Sequence, residues 1–195
     1  MPEQAGPERI VSSDGEALIL VDEKDREIGT LSKGRCHDGE GILHRAFSLF
    51  LFDDQGRVLI QQRAAGKRLW PLYWANSCCS HPRAGEDLGE ATERRALEEL
   101  GVSPRLHFIY KFRYQAAYKD LGSEHELCSV FVGRAQADDI HPNPSEVAAW
   151  RFVSGDEVEA MMDDTQARLT PWFRMEWQAL QGRYRPAVAE SLEAG

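Results

Sequence analysis

"GEDLGEATERRALEELGV", residues 85–102, is the stretch on which the fold turns. Leu88, Ala91, Ala96, Leu97 and Leu100 recur at helical spacing and supply an apolar stripe. Gly101 follows the last of them as a C-terminal stop. The other faces are laced with charge, and Glu90 with Arg94 has the i,i+4 spacing of a solvated helix. Arg94 and Arg95 are followed one turn later by Glu98 and Glu99. Cations one turn from carboxylates can hold Mg2+ and a polyphosphate together, because hard oxygen ligands suit Mg2+ and guanidinium suits phosphate. Spacing does not choose between the solvated face and the ligand site.

Outward from this helix the pattern is strand-rich. "ALILVD" (17–22) and "EIGTL" (27–31) read as short strands around a turn at Asp25 and Arg26. "RAFSLFLFDDQGRVLIQQR" (45–63) predicts a hairpin turning between Asp53 and Gly56. "RLHFIYKFRYQAAY", "ELCSVFVGRA" and "VAAWRFVS" predict further strands, and "SGDEVEAMMDD" and "TPWFRMEWQALQGRY" two further helices. The ends, "MPEQAGPE" and "PAVAESLEAG", read as loose tails around a core of about 15–183. Strands on both sides of a central helix, with more helices at the end, predict a mixed sheet covered by helices in one domain over 1–195, of the α/β (α+β) class.

The bulk properties exclude several function classes. A net charge of −9 over 195 residues argues against general nucleic-acid binding, while leaving room for a local basic pocket. No apolar run is long enough for a membrane span, and "MPEQAGPERI" lacks the regions of a signal peptide, so a cytoplasmic setting is expected. Four scattered cysteines do not read as a disulfide framework. Packing is the ordinary role of a buried thiol and is expected for Cys36, Cys78 and Cys128. "NSCCSHP" (76–82) leaves Cys79 open, because His81 lies close by.

Two constellations carry further chemistry. His37 and His44 flank "DGEGIL", His81 follows the cysteine pair, and "SEHEL" places Glu124 and Glu126 two apart. On a strand both carboxylates face one side and His125 the other. Three imidazoles and two carboxylates suit Mn2+ or Zn2+, although spacing alone does not bring the segments together. "QQRAAGKRLWPLYW" sets Arg63, Lys67 and Arg68 beside Trp70, Tyr73 and Trp74, which in an acidic chain fits a small phosphorylated ligand better than nucleic acid.

Taken together these segments resemble a known family. "GEDLGEATERRALEELGV" is similar to a modified Nudix box, and "HRAFSLFLFD", "QQRAAGKRLWPLYWANSCCSHP", "FRYQA" and "ELCSVF" resemble type 1 isopentenyl-diphosphate isomerases, in order from about Lys33 to Trp172. The resemblance implies a Nudix-type α/β/α sandwich with a central mixed sheet. It implies Cys79 and Glu126 as catalytic residues with Tyr114 beside them. It implies His37, His44, His81, Glu124 and Glu126 as ligands for Mn2+ or Zn2+, and Glu99 as the carboxylate for the Mg2+ of the substrate diphosphate. Lys33, Arg63, Lys67 and Arg95 match diphosphate-binding cations, and Trp172 a pocket aromatic. The chain departs from an ordinary Nudix box at Ala91 and Arg95, where glutamates are expected, which weakens hydrolysis and favours holding a diphosphate intact.

The reaction so implied converts isopentenyl diphosphate to dimethylallyl diphosphate. An unactivated alkene is a weak base, so its protonation needs a strong positioned acid and a second group to remove a proton. Glu126 is the expected donor and thiolate Cys79 the acceptor, with the order reversible by proton shuffling. Trp172 is expected over the reacting carbons. Two alternatives stand beside this: a Nudix hydrolase of a nucleoside diphosphate derivative, and a non-catalytic metal- or phosphate-binding module. The expected partner is a small molecule, with neither nucleic acid nor membrane, and the sequence leaves monomer or homodimer open.

Overall fold

In a computed structural model of the chain, which describes residues 10–194, β3 (His44–Phe52) is the axis of a nine-stranded mixed sheet. Its run "HRAFSLFLF" is buried almost throughout, as expected of a strand covered on both faces. On one side β3 pairs in parallel with β8 (Ser123–Arg134), from His44↔Glu126 to Phe52↔Arg134. β8 pairs in turn with antiparallel β7 (Leu106–Ala117). On the other side β3 meets the short β6 (Cys78–Ser80). β1 (Ala17–Val21) touches β3 at His44 and carries β2 (Glu27–Ser32). β4 (Val58–Arg63) pairs with β5 (Trp74–Ala75) and β9 (Val147–Val153).

The segment read as a hairpin is only half of one. β3 and β4 flank the expected turn, where the Asp53 carboxylate accepts from the backbone of Gln55 and Arg57, but they pair only at Phe52↔Val58. Beyond that point Ser77 wedges between them. Its Oγ accepts from Leu51 N at 2.8 Å and donates to Leu59 O at 2.6 Å, while Asn76 Nδ2 donates to Leu49 O. Side chains thus satisfy the backbone groups that a full hairpin ladder would have paired.

Helices cover both faces. α2 (Leu88–Leu100) lies over Phe47, Leu49, Leu51, Leu59 and Cys78. The opposite face, with Phe50, Val130 and Val132, packs against α3 (Gly155–Asp163), α4 (Pro171–Gln181) and α5 (Arg185–Glu193) through Val158, Trp172, Phe173, Trp177 and Val188. α2 starts on an Asp87 cap and ends at Gly101 in the left-handed conformation, φ 73°. Its buried face differs from the expected stripe: Leu97 is 57% exposed, while Arg95 and Glu99 are buried at 2% and 3%. Residues 186–195 were expected to form a loose tail, but most of them belong to α5; residues 1–8, the other expected tail, lie outside the described residues. α1 (Lys33–Cys36), one unforeseen turn, delivers His37 at its end. No helix among the described residues is long and apolar enough to cross a membrane.

Candidate active site

Register and the period-two alternation of strands place the candidate residues on one sheet face. His44 and Ser48 of β3 pair with Glu126 and Val130 of β8, Tyr114 of β7 pairs with Glu126, and Cys79 of β6 pairs with Ser48. The vicinal cysteines therefore part: Cys78 is fully buried under α2, and Cys79 turns toward a cavity of about 510 Å³. His37, His81, Tyr114, Glu124, Glu126 and Trp172 share that cavity's lining with Cys79. His125 points the other way, as alternation requires, and its Nε2 accepts from Arg113 Nε at 3.2 Å.

The three histidines and two glutamates converge. One ligand atom from each of His37, His44, His81, Glu124 and Glu126 lies within 4.8 Å of all the others, and all five residues are buried. His37 Nδ1 meets Lys33 O at 2.6 Å and His44 Nδ1 meets Ile42 O at 2.7 Å. A proton on each Nδ1, donated to those carbonyls, leaves both Nε2 lone pairs for the cluster. His37 Nε2 lies 2.7 Å from Glu124 Oε2, and His81 Nε2 2.9 Å from Glu126 Oε1. His44 Nε2, 3.8 Å from Glu126 Oε1, is buried with no hydrogen-bond partner, a position a cation would satisfy.

The electrostatics agree with a cation site. Burial, followed by the charge of His37, pushes His44 down to about 4, and burial holds His81 well below the usual imidazole range. Neutral imidazoles are the ligand form; at His37, by contrast, burial is outweighed by the adjacent Glu124, which raises the imidazole above its usual range. Burial alone would raise the Glu124 carboxyl, but the adjacent His37 brings it below the ordinary range. Burial and then the charge of Glu124 push Glu126 well above that range, and Tyr114 donates to Glu126 Oε2 at 2.7 Å. Burial also pushes the Cys79 thiol up to about 12, opposed by Arg63, whose Nη1 lies 3.8 Å from Sγ. Burial thus favours the thiol at Cys79, where a thiolate was expected.

Lys33, Arg63, Lys67 and Arg95 all reach the same cavity. Lys33 Nζ donates to Ser12 Oγ at 2.5 Å, and Arg63 donates to the carbonyls of Leu69 and Trp70. Lys67 pairs with Glu146, and Arg95 with Glu98, Glu99 and Glu146. Glu99 is outside the cavity lining, bonded to Arg95 and, at 3.2 Å, to Gln61 Nε2. Trp172 is fixed by its Nε1 bond to Asn76 Oδ1 at 3.1 Å, and the Arg63 guanidinium sits 5.3 Å from its ring centre. The π face of Trp172, expected over the reacting carbons, thus already has a resident cation.

Sequence reasoning missed Glu146, Asn76 and Glu176. Glu146 closes a turn with no motif of its own. Glu176 stands one helical turn after Trp172, and that spacing, i,i+4 on an amphipathic helix, was the available signal.

Residues 42–173 match the family model described as the NUDIX domain. "Isopentenyl-diphosphate Delta-isomerase 1" of Photorhabdus laumondii subsp. laumondii is 45% identical over 164 residues, covering 83% of this chain and 93% of that protein. "Isopentenyl-diphosphate Delta-isomerase" of Nocardia farcinica is 44% identical over 170 residues, 87% of this chain and 97% of that one. The chain belongs to the isopentenyl-diphosphate Delta-isomerase family. Among solved structures, DR0079 of Deinococcus radiodurans aligns with a TM-score of 0.67 at 22% identity, covering 82% of this chain and 96% of that one, which shows the shared fold. Of the two expected departures from an ordinary Nudix box, Arg95 stands where a glutamate follows the box arginine, but Ala91 is not one: seven residues separate the first box glutamate from that arginine, Arg94, which places it at Glu86.

Proposed function

We propose that this chain isomerises isopentenyl diphosphate to dimethylallyl diphosphate, acting in the cytoplasm as one domain, monomer or homodimer. The observation that carries the reading is topological: Glu126 and Cys79 sit on strands flanking β3 from opposite sides, yet both face one cavity that Lys33, Arg63, Lys67 and Arg95 also line.

The terminal alkene carbon takes a proton from the Glu126 carboxyl. The resulting tertiary cation loses a proton from the carbon next to CH2O to the Cys79 sulfur. One proton enters and one leaves, so substrate and product are isomers. Burial favours the neutral thiol, so Cys79 becomes an acceptor only after releasing its own proton to solvent water, and Arg63 stabilises the thiolate that remains. Tyr114 holds the Glu126 carboxyl in one orientation through its 2.7 Å bond. The walls of Trp172, Leu69 and Tyr114 keep water from the cation. Lys33, Arg63, Lys67 and Arg95 take the diphosphate, and their main contribution is positioning.

His37, His44, His81, Glu124 and Glu126 would hold Mn2+ or Zn2+, which supplies a fixed positive charge that strengthens the acidity of Glu126. Mg2+ would accompany the diphosphate near Glu99.

Turnover of isopentenyl diphosphate in deuterated water, followed by NMR, tests the reaction. Deuterium is expected in the new methyl group of dimethylallyl diphosphate. Phosphate release from diphosphates without an allylic product would instead identify a Nudix hydrolase. Cys79→Ala is expected to abolish allylic product while divalent metal and pyrophosphate still bind; unchanged turnover removes Cys79 from the mechanism.

A further inference from the structure

Glu146 is a carboxylate lodged among the cations assigned to the substrate. It is 4% exposed, lines the cavity, and its Oε2 accepts from Lys67 Nζ and, at 3.1 Å, from Arg95 Nη2. The other bonds of Arg95 go to residues outside the cavity lining: Nη1 donates to Val11 O at 3.0 Å and Glu98 Oε2 at 3.3 Å, and Nη2 donates to Glu99. Of the three carboxylates on Arg95, Glu146 is the one in the cavity lining. A diphosphate that engages Lys67 and Arg95 must therefore displace Glu146 or share their donors with it.

The backbone limits how far Glu146 can withdraw. Its carbonyl accepts from Ala64 N at 2.9 Å and its N–H donates to Asn143 O at 3.0 Å. A free diphosphate would thus lie beside a buried carboxylate of its own sign, at a depth where water screens little. A diphosphate arriving with a divalent ion brings the opposite charge into the same space, and oxygen ligands of both partners suit Mg2+.

We infer that Glu146 is a specificity-determining residue that makes the cavity accept a diphosphate as its magnesium complex and reject the free anion. This rests on reading the cavity as a diphosphate site. It differs from a role in merely holding Lys67 and Arg95 in place, which would favour both forms of the ligand equally.

The experiment is calorimetric titration of the full chain, loaded with Mn2+ or Zn2+ at the His/Glu cluster, with inorganic pyrophosphate in the presence and absence of Mg2+. Because like charges repel strongly at a buried contact, the wild type is expected to bind the magnesium complex roughly 100-fold more tightly. In Glu146→Gln that preference is expected to shrink by about tenfold or more, chiefly because free pyrophosphate binds better. Glu146→Asp keeps the charge and should keep the preference.

The inference is overturned if the Gln variant shifts both affinities alike, or if the Asp and Gln variants behave the same. The wild type tests it without any variant: a magnesium preference below about tenfold overturns it, because a desolvated charge conflict predicts more. If wild type binds pyrophosphate in neither form, the diphosphate reading falls and takes this inference with it. If it binds both forms equally well, the diphosphate reading stands and only the role of Glu146 falls.

Discussion

His44 on β3 and Glu126 on β8 are register partners in a parallel pair, and this pairing assembles the metal-ligand cluster from segments far apart in sequence. A slip of one residue would turn Glu124 and Glu126 to the opposite face. His44 contributes an Nε2 that has no other partner. His44→Asn is therefore expected to weaken Mn2+ or Zn2+ binding by more than the roughly 10–100-fold typical of losing an outer-shell partner, with the fold retained. Chelator competition measures this, and an unchanged affinity removes His44 from the cluster.

Metal removal should also register as lost stability. Glu124 and Glu126 lie close together beside buried imidazoles, where a bound cation would offset their repulsion. At a free metal concentration 100 times Kd, binding adds about 2.7 kcal/mol. EDTA treatment is expected to lower the melting temperature by several degrees, reversed by Mn2+ or Zn2+. An identical melt with and without metal counts against the site.

Tyr114→Phe deletes one hydroxyl and the 2.7 Å bond to Glu126 Oε2, leaving the ring stack with Phe112 available. If Tyr114 orients the proton donor, kcat should fall by about 10²-fold, the lower end for positioned acid–base groups, with KM little changed. A rise in KM at constant kcat would assign Tyr114 to substrate binding instead.

Glu176 predicts a pH dependence of stability. It is fully buried on α4; Cys128 Sγ donates toward its Oε1 at 3.6 Å, and Oε2 has no partner. Burial pushes its carboxyl up to about 8, only partly offset by hydrogen bonds from Ser48 and Cys128. A raised carboxyl is protonated in the folded state where the unfolded chain is already ionised. Its contribution is thus complete below the usual carboxylate range and fades as pH rises toward about 8. Urea unfolding at pH 5, 6.5 and 8 should show wild type losing stability relative to Glu176→Gln, by at most about 1.4 kcal/mol per pH unit. Parallel curves for the two proteins would refute the assignment.

Gly122 links His37 to the start of β8. Its φ is +141°, and an added Cβ would stand 2.2 Å from His37 O. Both the backbone and the contact oppose a side chain. Gly122→Ala is expected to cost more than about 3 kcal/mol and to weaken metal binding, because His37 and Glu124 both hang on this junction. Unfolding curves matching those of wild type would disprove the constraint.

The strands and the central helix were legible because their signals are local. The apolar run of β3, the Ser154 capping box of α3 and the glycine stop of α2 need no distant partner to act. The hairpin was misread for the same reason: nothing between residues 45 and 63 reports that Ser77 will insert between the two strands. The C-terminal tail was misread because α5 takes its stability from Val188 against the core, and composition does not display that contact.

The chemistry divides along the same line. Residue types offered the three histidines and two glutamates as a candidate ligand set, and the family resemblance, not spacing, singled out Cys79 and the four cations, since side-chain chemistry belongs to the residue itself but its neighbours do not. Which of two adjacent thiols meets the cavity, how far Glu126 and Cys79 are pushed toward their neutral forms, and that Glu146 already occupies two of the cations were settled by tertiary packing. Desolvation and charge pairing depend on neighbours brought from far along the chain, and those neighbours exist only once β3 has joined β6 to β8.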